Sequence, residues 1–430
     1  MNSNRSIFDP PTQPQTVDQV VSGFIRQREL YLELAKGYGS PLYLIDEAAL
    51  LARVEEFQAA FKAHLPAIQL FFPVKTNSHP LVIQTMVKAG IGIEASSGLE
   101  LQVALACGAS EILLNGPGKT DDELNLALRH WSTVTLMLDS AAEFDRLDAL
   151  ASHAGVTIRA GIRLSVANSG LWRKFGIPLD QLQPVMEKGR RSRHIRLQGL
   201  HFHTSWNMDP SAQVKSLARI GQVLERLPPE LKKQLVFIDI GGGFWPPQGE
   251  WRPADSSQIF LQGGEAGSGP FYSTVPAVPI TEFARQISEA LKTHIFPHVQ
   301  LQLYAEPGRW LCTDGLHLLM TVVDLKGDDI AITDAGTNAI GWERFESEYF
   351  PVINLSQPGE AEQPFLVLGS LCTPHDLWGC SYFGAGMAPG DILLIPMQGA
   401  YTYSLRQQFI KPLPGTLFIP AALDAALVFS

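Results

Sequence analysis

A chain of 430 residues, 45% of them hydrophobic, is long enough to bury two cores, and its formal net charge of −10 argues against nucleic acid or an anionic membrane as partner. It opens with no basic-plus-apolar leader and carries no apolar run of membrane-spanning length, so the expected location is the cytoplasm, with no membrane partner. The four cysteines, Cys107, Cys312, Cys372 and Cys380, lack paired zinc-type spacing and are too few for a disulfide framework, so they read as thiols.

Residues 1 to about 16 are polar and proline-containing and read as flexible. From Val17 to Asp46 a helix and the short strand PLYLID follow, and this N-terminal piece, residues 1–45, is expected to pack with a β-rich domain at the other end of the chain. Eight apolar runs of strand length come next: Ile68 to Lys75, Ile91 to Ser96, Ile112 to Asn115, Val134 to Asp139, Ile158 to Leu164, Leu197 to His203, Leu235 to Ile240 and Leu301 to Glu306. Between them, stretches such as Pro80 to Ala89, Gly98 to Cys107 and Asp121 to His130 carry apolar residues at helical spacing, often after a Ser, Asp or Pro near the cap position. The alternation predicts an α/β fold, a closed parallel (β/α)8 barrel of the TIM type over residues 46–315. Residues 316–430 change to short pieces such as LLMTVVDL, DIAITDAG, PFLVLGS and DILLIPM, punctuated by Gly, Pro and Asp, and predict a separate C-terminal β domain. The Gly/Pro/Ser-rich stretch 244–275, between the seventh and eighth runs, reads either as a lid over the barrel mouth or as a disordered insertion.

Barrel chemistry belongs at the carboxyl ends of the strands. Here those ends read Lys75, Glu94 to Ser96, Asn115, Asp139, Arg163, His203, Gly241 to Gly243 and Glu306 to Arg309. An amine delivered by a hydrophobic strand is easier to deprotonate and can attack a carbonyl to form a Schiff base. Taken alone, Lys75 is more simply a strand-ending lysine that reaches water. The imidazole, the triple glycine and the Glu with an Arg on the same rim outweigh that reading.

Two motif matches are set aside. GPGKT at Gly116 to Thr120 resembles the tail of a P-loop, but Leu113 stands where its first glycine should be. His201 and His203 alternate along one strand, could face the same side, and have no evident third ligand, so no metal is expected.

The motifs PVKTNSHP, GLHFHTS, DIGGGF, EPGR, LCTPHD and GAYTYS occur in this order between about Gly39 and Tyr403. In that order they resemble the alanine-racemase-like, fold type III pyridoxal 5'-phosphate enzymes, in the branch of diaminopimelate, ornithine and arginine decarboxylases. The resemblance makes Lys75 the Schiff-base lysine, His203 the ring stacked on the cofactor, and Gly241, Gly242, Gly243, Arg309 and Tyr401 the phosphate pocket. It implies that Glu306 faces the pyridine nitrogen and keeps it protonated, where racemases of the fold place an arginine; this favours decarboxylation. It also implies that Cys372 reaches a neighbouring subunit's site to return a proton to the α-carbon, which makes the expected assembly a homodimer with shared sites. Thr373, Asp376 and Arg344 are further expected substrate contacts.

The departures bear on the substrate. Diaminopimelate decarboxylases of the family carry Glu-Ser after the cysteine, where the Glu receives a distal ammonium, and ornithine-type enzymes carry Asp; here Thr373 and Pro374 follow. Ser205-Trp206 replaces Gly-Ser and brings an indole toward the phosphate or the mouth, Glu94 replaces Asp, and GWERFESEYF replaces an arginine-proline segment. The expected activity is therefore α-decarboxylation of an amino acid, an unusual one or a larger amino-acid conjugate, as in siderophore or secondary-metabolite biosynthesis. The alternatives are meso-diaminopimelate decarboxylation in lysine biosynthesis and, from another class, a non-catalytic regulator, against which the retained site residues argue.

Overall fold

Each of the eight apolar runs forms a parallel strand: β1 (Ile68–Pro73), β2 (Gly92–Ala95), β3 (Ile112–Leu114), β4 (Val134–Leu138), β5 (Ile158–Ser165), β6 (Ile195–His201), β7 (Phe237–Asp239) and β8 (Gln302–Ala305). The computed structural model describes residues 16–166, 170–261, 269–341 and 348–421. The strands pair in the order β4-β3-β2-β1-β8-β7-β6-β5, and β4 pairs with β5, so the sheet closes into a barrel. β2, β3 and β4 are buried along their whole length, as strands covered on both faces must be.

Four of the helices between the strands carry a side-chain cap, from His79, Ser97, Thr120 and Ser140. Before the helix Asp121–Arg129, Thr120 Oγ1 accepts from Glu123 N at 3.3 Å and the Glu123 carboxylate accepts from Thr120 N at 2.8 Å. Such a reciprocal cap contributes roughly 1 kcal/mol. Inside the barrel, Phe71, Leu113, Met137 and Phe237 form a buried layer, with Tyr304 stacked 4.4 Å from Phe237. Gly199 on β6 is required there, because a Cβ would lie 1.9 Å from the Phe237 ring. This apolar layer leaves the polar groups to the strand ends.

The chain divides into two compact units. One comprises Val54–Phe244 with Val278–Trp310, the barrel; the other comprises the chain up to Arg53, Trp245–Ala277 and the chain from Leu311 on. The boundaries thus differ from those expected at 45/46 and 315/316. Arg53 is the reason at one edge: its guanidinium makes a buried ion pair with Asp314, and Leu50 packs where any Cβ on Gly315 would go.

The second unit is built on an eight-stranded sheet. Strand Leu42–Asp46 runs antiparallel to Leu316–Lys326 and parallel to Gly415–Ile419. Val17, Val20, Val21 and Tyr31 of the two N-terminal helices share its core with Leu44 and Leu319. The stretch after the seventh strand adds the hairpin Glu250–Pro253 with Tyr272–Val275. Trp251 and Phe271 of this stretch are buried in the unit, which overturns the disordered reading for its described residues. Among the described residues, no helix is long and apolar enough to cross a membrane.

Candidate active site

The barrel rim gathers one amine, three carboxylates and two imidazoles. Lys75, expected to end its strand, lies two residues past the end of β1, in the single turn Val74–Thr76, and its side chain is 37% exposed. On the neighbouring strand, in register with Pro73, stands Glu94, fully buried. Lys75 Nζ forms an ion pair with Glu94 Oε2 and lies 3.2 Å from Ser96 Oγ, which donates to Glu94 Oε1 at 2.9 Å. Burial pushes the Glu94 carboxyl up to about 7 against the pull of Lys75, and the negative charge of Glu306 adds to the rise.

Glu306 follows β8 directly and is 2% exposed. Its backbone N–H donates to Gly241 O at 2.8 Å, which ties it to the glycine turn. Asn115 Nδ2 donates to Glu306 Oε1 at 3.3 Å, and His201 Nε2 lies 3.4 Å from the same oxygen. Burial works to raise the Glu306 carboxyl, but His201, Lys75 and His203 outweigh it and hold the group below the usual carboxylate range. Asp239, at the end of β7, is the opposite case. Burial first, and the charge of Glu306 second, push it well above the usual range, and its Oδ2 is buried without a hydrogen-bond partner. Sequence reasoning missed Asp239; the signal was a lone acid between Ile238 and Ile240 in an apolar run.

The two histidines do not play equivalent parts. His201 is the last residue of β6 and fully buried, whereas His203 lies beyond the strand on the rim, partly exposed. Withdrawal from water pushes the His203 imidazole down to about 3, so the ring is neutral. Its Nδ1 accepts from Gly242 N at 3.1 Å, and its Nε2 lies 3.3 Å from Ser205 Oγ. Donor atoms of His201, His203 and Glu306 lie within 4.8 Å of one another, which corrects the expectation that the histidine pair lacks a third partner. Strand β8 carries Glu306 there from far along the chain. The three are already engaged with one another, with Asn115 and with the glycine turn, an arrangement of hydrogen bonds rather than of ion ligands.

At the glycine turn, Gly241 and Gly243 have φ of 64° and 80°, and a Cβ on Gly242 would lie 2.3 Å from Glu306 O. Only glycine fits these conditions. Gly241 N donates to Asp239 Oδ1 at 2.9 Å and Gly242 N to His203 Nδ1. Arg309 is half-buried in the short helix Gly308–Cys312. A Cβ on Gly308 would meet Thr76 Oγ1 at 2.2 Å, so the Lys75 turn and the Arg309 helix close in on each other.

A cavity of about 220 Å³ beside His203 is lined by Arg163, Trp172, Phe175, Thr204 and Ser205, among others. Trp206 is 62% exposed with φ 53°, a left-handed backbone rare for a bulky residue. Lys119 of the broken P-loop is buried, with its amine 2.7 Å from Glu143 and bonded to Gly116 O, and so is not available to a nucleotide.

The remaining expected site residues belong to the second unit. Cys372 is exposed, Thr373 is half-buried, and Tyr401 is half-buried with φ 58°. Asp376 is corrected from substrate contact to loop anchor. It is 2% exposed, Oδ1 accepts from Thr337 N and Oγ1 at 2.7 and 2.9 Å, and Oδ2 accepts from Leu371 N at 2.7 Å. A carboxylate already holding three donors has little left for a ligand. Arg344 lies outside the described residues.

A half-exposed amine, a buried anionic carboxylate, a neutral imidazole, a glycine turn and a guanidinium on one rim match what an aldehyde-bearing, phosphorylated pyridine would need. The family model described as "Pyridoxal-dependent decarboxylase, pyridoxal binding domain" matches residues 51–313. A diaminopimelate decarboxylase of Methanothermobacter thermautotrophicus is 26% identical over 405 residues, covering 90% of this chain and 88% of the relative. An L-glutamyl-[BtrI acyl-carrier protein] decarboxylase of Niallia circulans is 25% identical over 399 residues, covering 86% of each. Among solved structures, diaminopimelate decarboxylase from M. jannaschii in co-complex with L-lysine aligns with a TM-score of 0.76 at 21% identity, over 90% of this chain and 89% of that one.

Proposed function

The chain belongs to the pyridoxal-dependent decarboxylases, and from that premise we propose that it removes the α-carboxylate of an amino acid or amino-acid conjugate whose distal end is not recognised as a free ammonium. The observation that carries the reading is the rim itself, where Lys75 stands paired with Glu94 while Glu306 is held as an anion by Asn115 and His201. Pyridoxal phosphate, when bound, supplies an electrophilic aldehyde and a ring that accepts the electron pair left by the departing carbon dioxide.

The chain's own residues supply the rest. Lys75 would be the attachment point, and Glu94, its carboxyl pushed up to about 7 by burial, would take up and return the proton its amine must exchange. His203 is held at Nδ1 by Gly242 and offers its flat face to the ring. Glu306 would take the ring nitrogen. Arg309 and the turn Gly241–Gly243 would hold the phosphate. Cys372 of the partner subunit returns a proton to the α-carbon through Sγ, in a two-fold dimer with shared sites; its exposure in the single chain supports this. No metal takes part.

The substrate reading rests on Thr373-Pro374 after that cysteine, which puts no carboxylate where an ammonium would be received. A relative that acts on a carrier-linked glutamyl group shows that such conjugates fall within this similarity range. Relatives named diaminopimelate decarboxylase favour the second reading, free meso-diaminopimelate. Carbon dioxide release from free diaminopimelate, lysine, ornithine, arginine, and carrier-linked or citryl-linked amino acids separates the two. Turnover of a conjugate supports the first reading; turnover of free diaminopimelate alone overturns it.

A further inference from the structure

Beneath the rim lies a second layer of polar groups that no motif of the resemblance assigns a role. His201 is buried with its Nε2 3.1 Å from Asn115 Nδ2 and 3.4 Å from Glu306 Oε1, while its Nδ1 is buried with no hydrogen-bond partner. The two tautomers are unequal here. A proton on Nδ1 would leave a donor orphaned in the interior, whereas a proton on Nε2 lies toward Glu306 Oε1 and leaves only a weak acceptor unmet; in that tautomer the 3.1 Å approach of Asn115 Nδ2 to Nε2 is two donors side by side on one carboxylate oxygen rather than a hydrogen bond between them. The ring is therefore an Nε2–H tautomer.

We propose that His201 is a positioning residue for Glu306, its Nε2–H and the Asn115 amide together fixing the carboxylate in its ionised form and in the orientation the ring nitrogen requires. The surroundings make such a device necessary. Glu94, Asp239 and Glu306 are all buried, and each raises the cost of charging the others. Asp239 lies opposite His201 in the β6–β7 register and bonds Gly241 N through Oδ1. Left without donors, Glu306 would compete poorly for negative charge with its two neighbours, since Glu94 has the Lys75 amine and Asp239 the Gly241 N–H. Two neutral donors aimed at one oxygen settle which acid is ionised.

This inference rests on the reading that Glu306 faces the cofactor nitrogen, and the test separates the two. The ¹⁵N resonance of ring-labelled pyridoxal phosphate bound to the protein is recorded for the wild type, Glu306→Gln, His201→Asn and His201→Gln, with thermal midpoints taken on the same samples. Asn is too short to reach Glu306, whereas Gln can place an N–H near the position of Nε2. The expected result is a protonated-nitrogen resonance in the wild type, a shift toward unprotonated pyridine in Glu306→Gln and in His201→Asn, and recovery in His201→Gln. The kcat should fall about 10- to 100-fold in His201→Asn with KM little changed. A Glu306→Gln resonance identical to wild type overturns the underlying reading. A normal shift in Glu306→Gln beside a wild-type resonance in His201→Asn overturns the role of His201 alone. A loss in His201→Gln as complete as in His201→Asn, at equal thermal midpoints, also overturns it.

Discussion

The two units bury charge in opposite ways. In the β unit two buried acids have donors of their own: Asp314 takes the Arg53 guanidinium, with Nε at 2.8 Å, and Asp376 takes three N–H and O–H groups. At the barrel rim, unlike the one-to-one Lys119–Glu143 pair elsewhere in the barrel, three acids share one amine and a few neutral donors, and their pKa values spread apart, Glu94 and Asp239 upward and Glu306 downward. One-to-one neutralisation holds a fold together. Crowded like charges with divergent proton affinities are costly to keep, and they mark a place where protons move.

The sharpest way to break that comparison is Lys75→Ala. If the barrel acids serve chemistry, the change abolishes carbon dioxide release and the borohydride-fixed cofactor adduct, while the thermal midpoint moves little because Glu94, its carboxyl already pushed up to about 7 by burial, takes a proton when its cation is removed. An adduct that persists in the variant, mapped by mass spectrometry to another lysine, would count against the whole assignment. The β unit should behave the other way. Arg53→Ala leaves Asp314 buried without its cation and should cost about 3–5 kcal/mol, read as a lower unfolding midpoint, with activity per folded molecule retained. A variant that keeps its midpoint but loses activity would show that the contrast between the units is false.

The barrel was legible because its strands are short apolar runs bounded by polar residues, and each chemistry-bearing side chain stands within a residue or two of a strand end. Lys75, Glu94 and Glu306 could be found this way. The partnership of Glu306 with Asn115 and His201 could not, since it depends on β3, β6 and β8 facing one another across a closed barrel, which chain order does not encode. The β unit was harder for a similar reason. Strand Leu42–Asp46 completes a sheet whose other strands come from the far end of the chain, and Trp251, in a stretch that reads as loop, belongs to its core. Asp376 was misjudged because an acid near a reactive cysteine resembles a ligand contact until its three donors are seen.

The smallest expected effect tests whether the β unit's rule is complete. Asp46 is 2% exposed; its Oδ1 accepts from Ala48 and Ala49 N–H groups at 2.8 and 3.2 Å, but Oδ2 is buried without a partner. Burial pushes its carboxyl up to about 7, against the two backbone N–H groups that lower it. Because the folded pKa lies above the unfolded one, the native state holds the proton more tightly, so the stability it brings is fully present below about pH 4 and is lost as pH rises through 7. Asp46→Asn keeps an oxygen for the same two N–H groups and removes the titration. Relative to the wild type, the variant should therefore gain about 1–3 kcal/mol between pH 5 and pH 8, measured as the difference in unfolding midpoints at the two pH values. Parallel midpoints across that range would mean that Oδ2 finds water on opening motions and that Asp46, like Asp376, is an ordinary satisfied acid. A gain at pH 8 would instead make it the one acid of the β unit that behaves like those of the barrel.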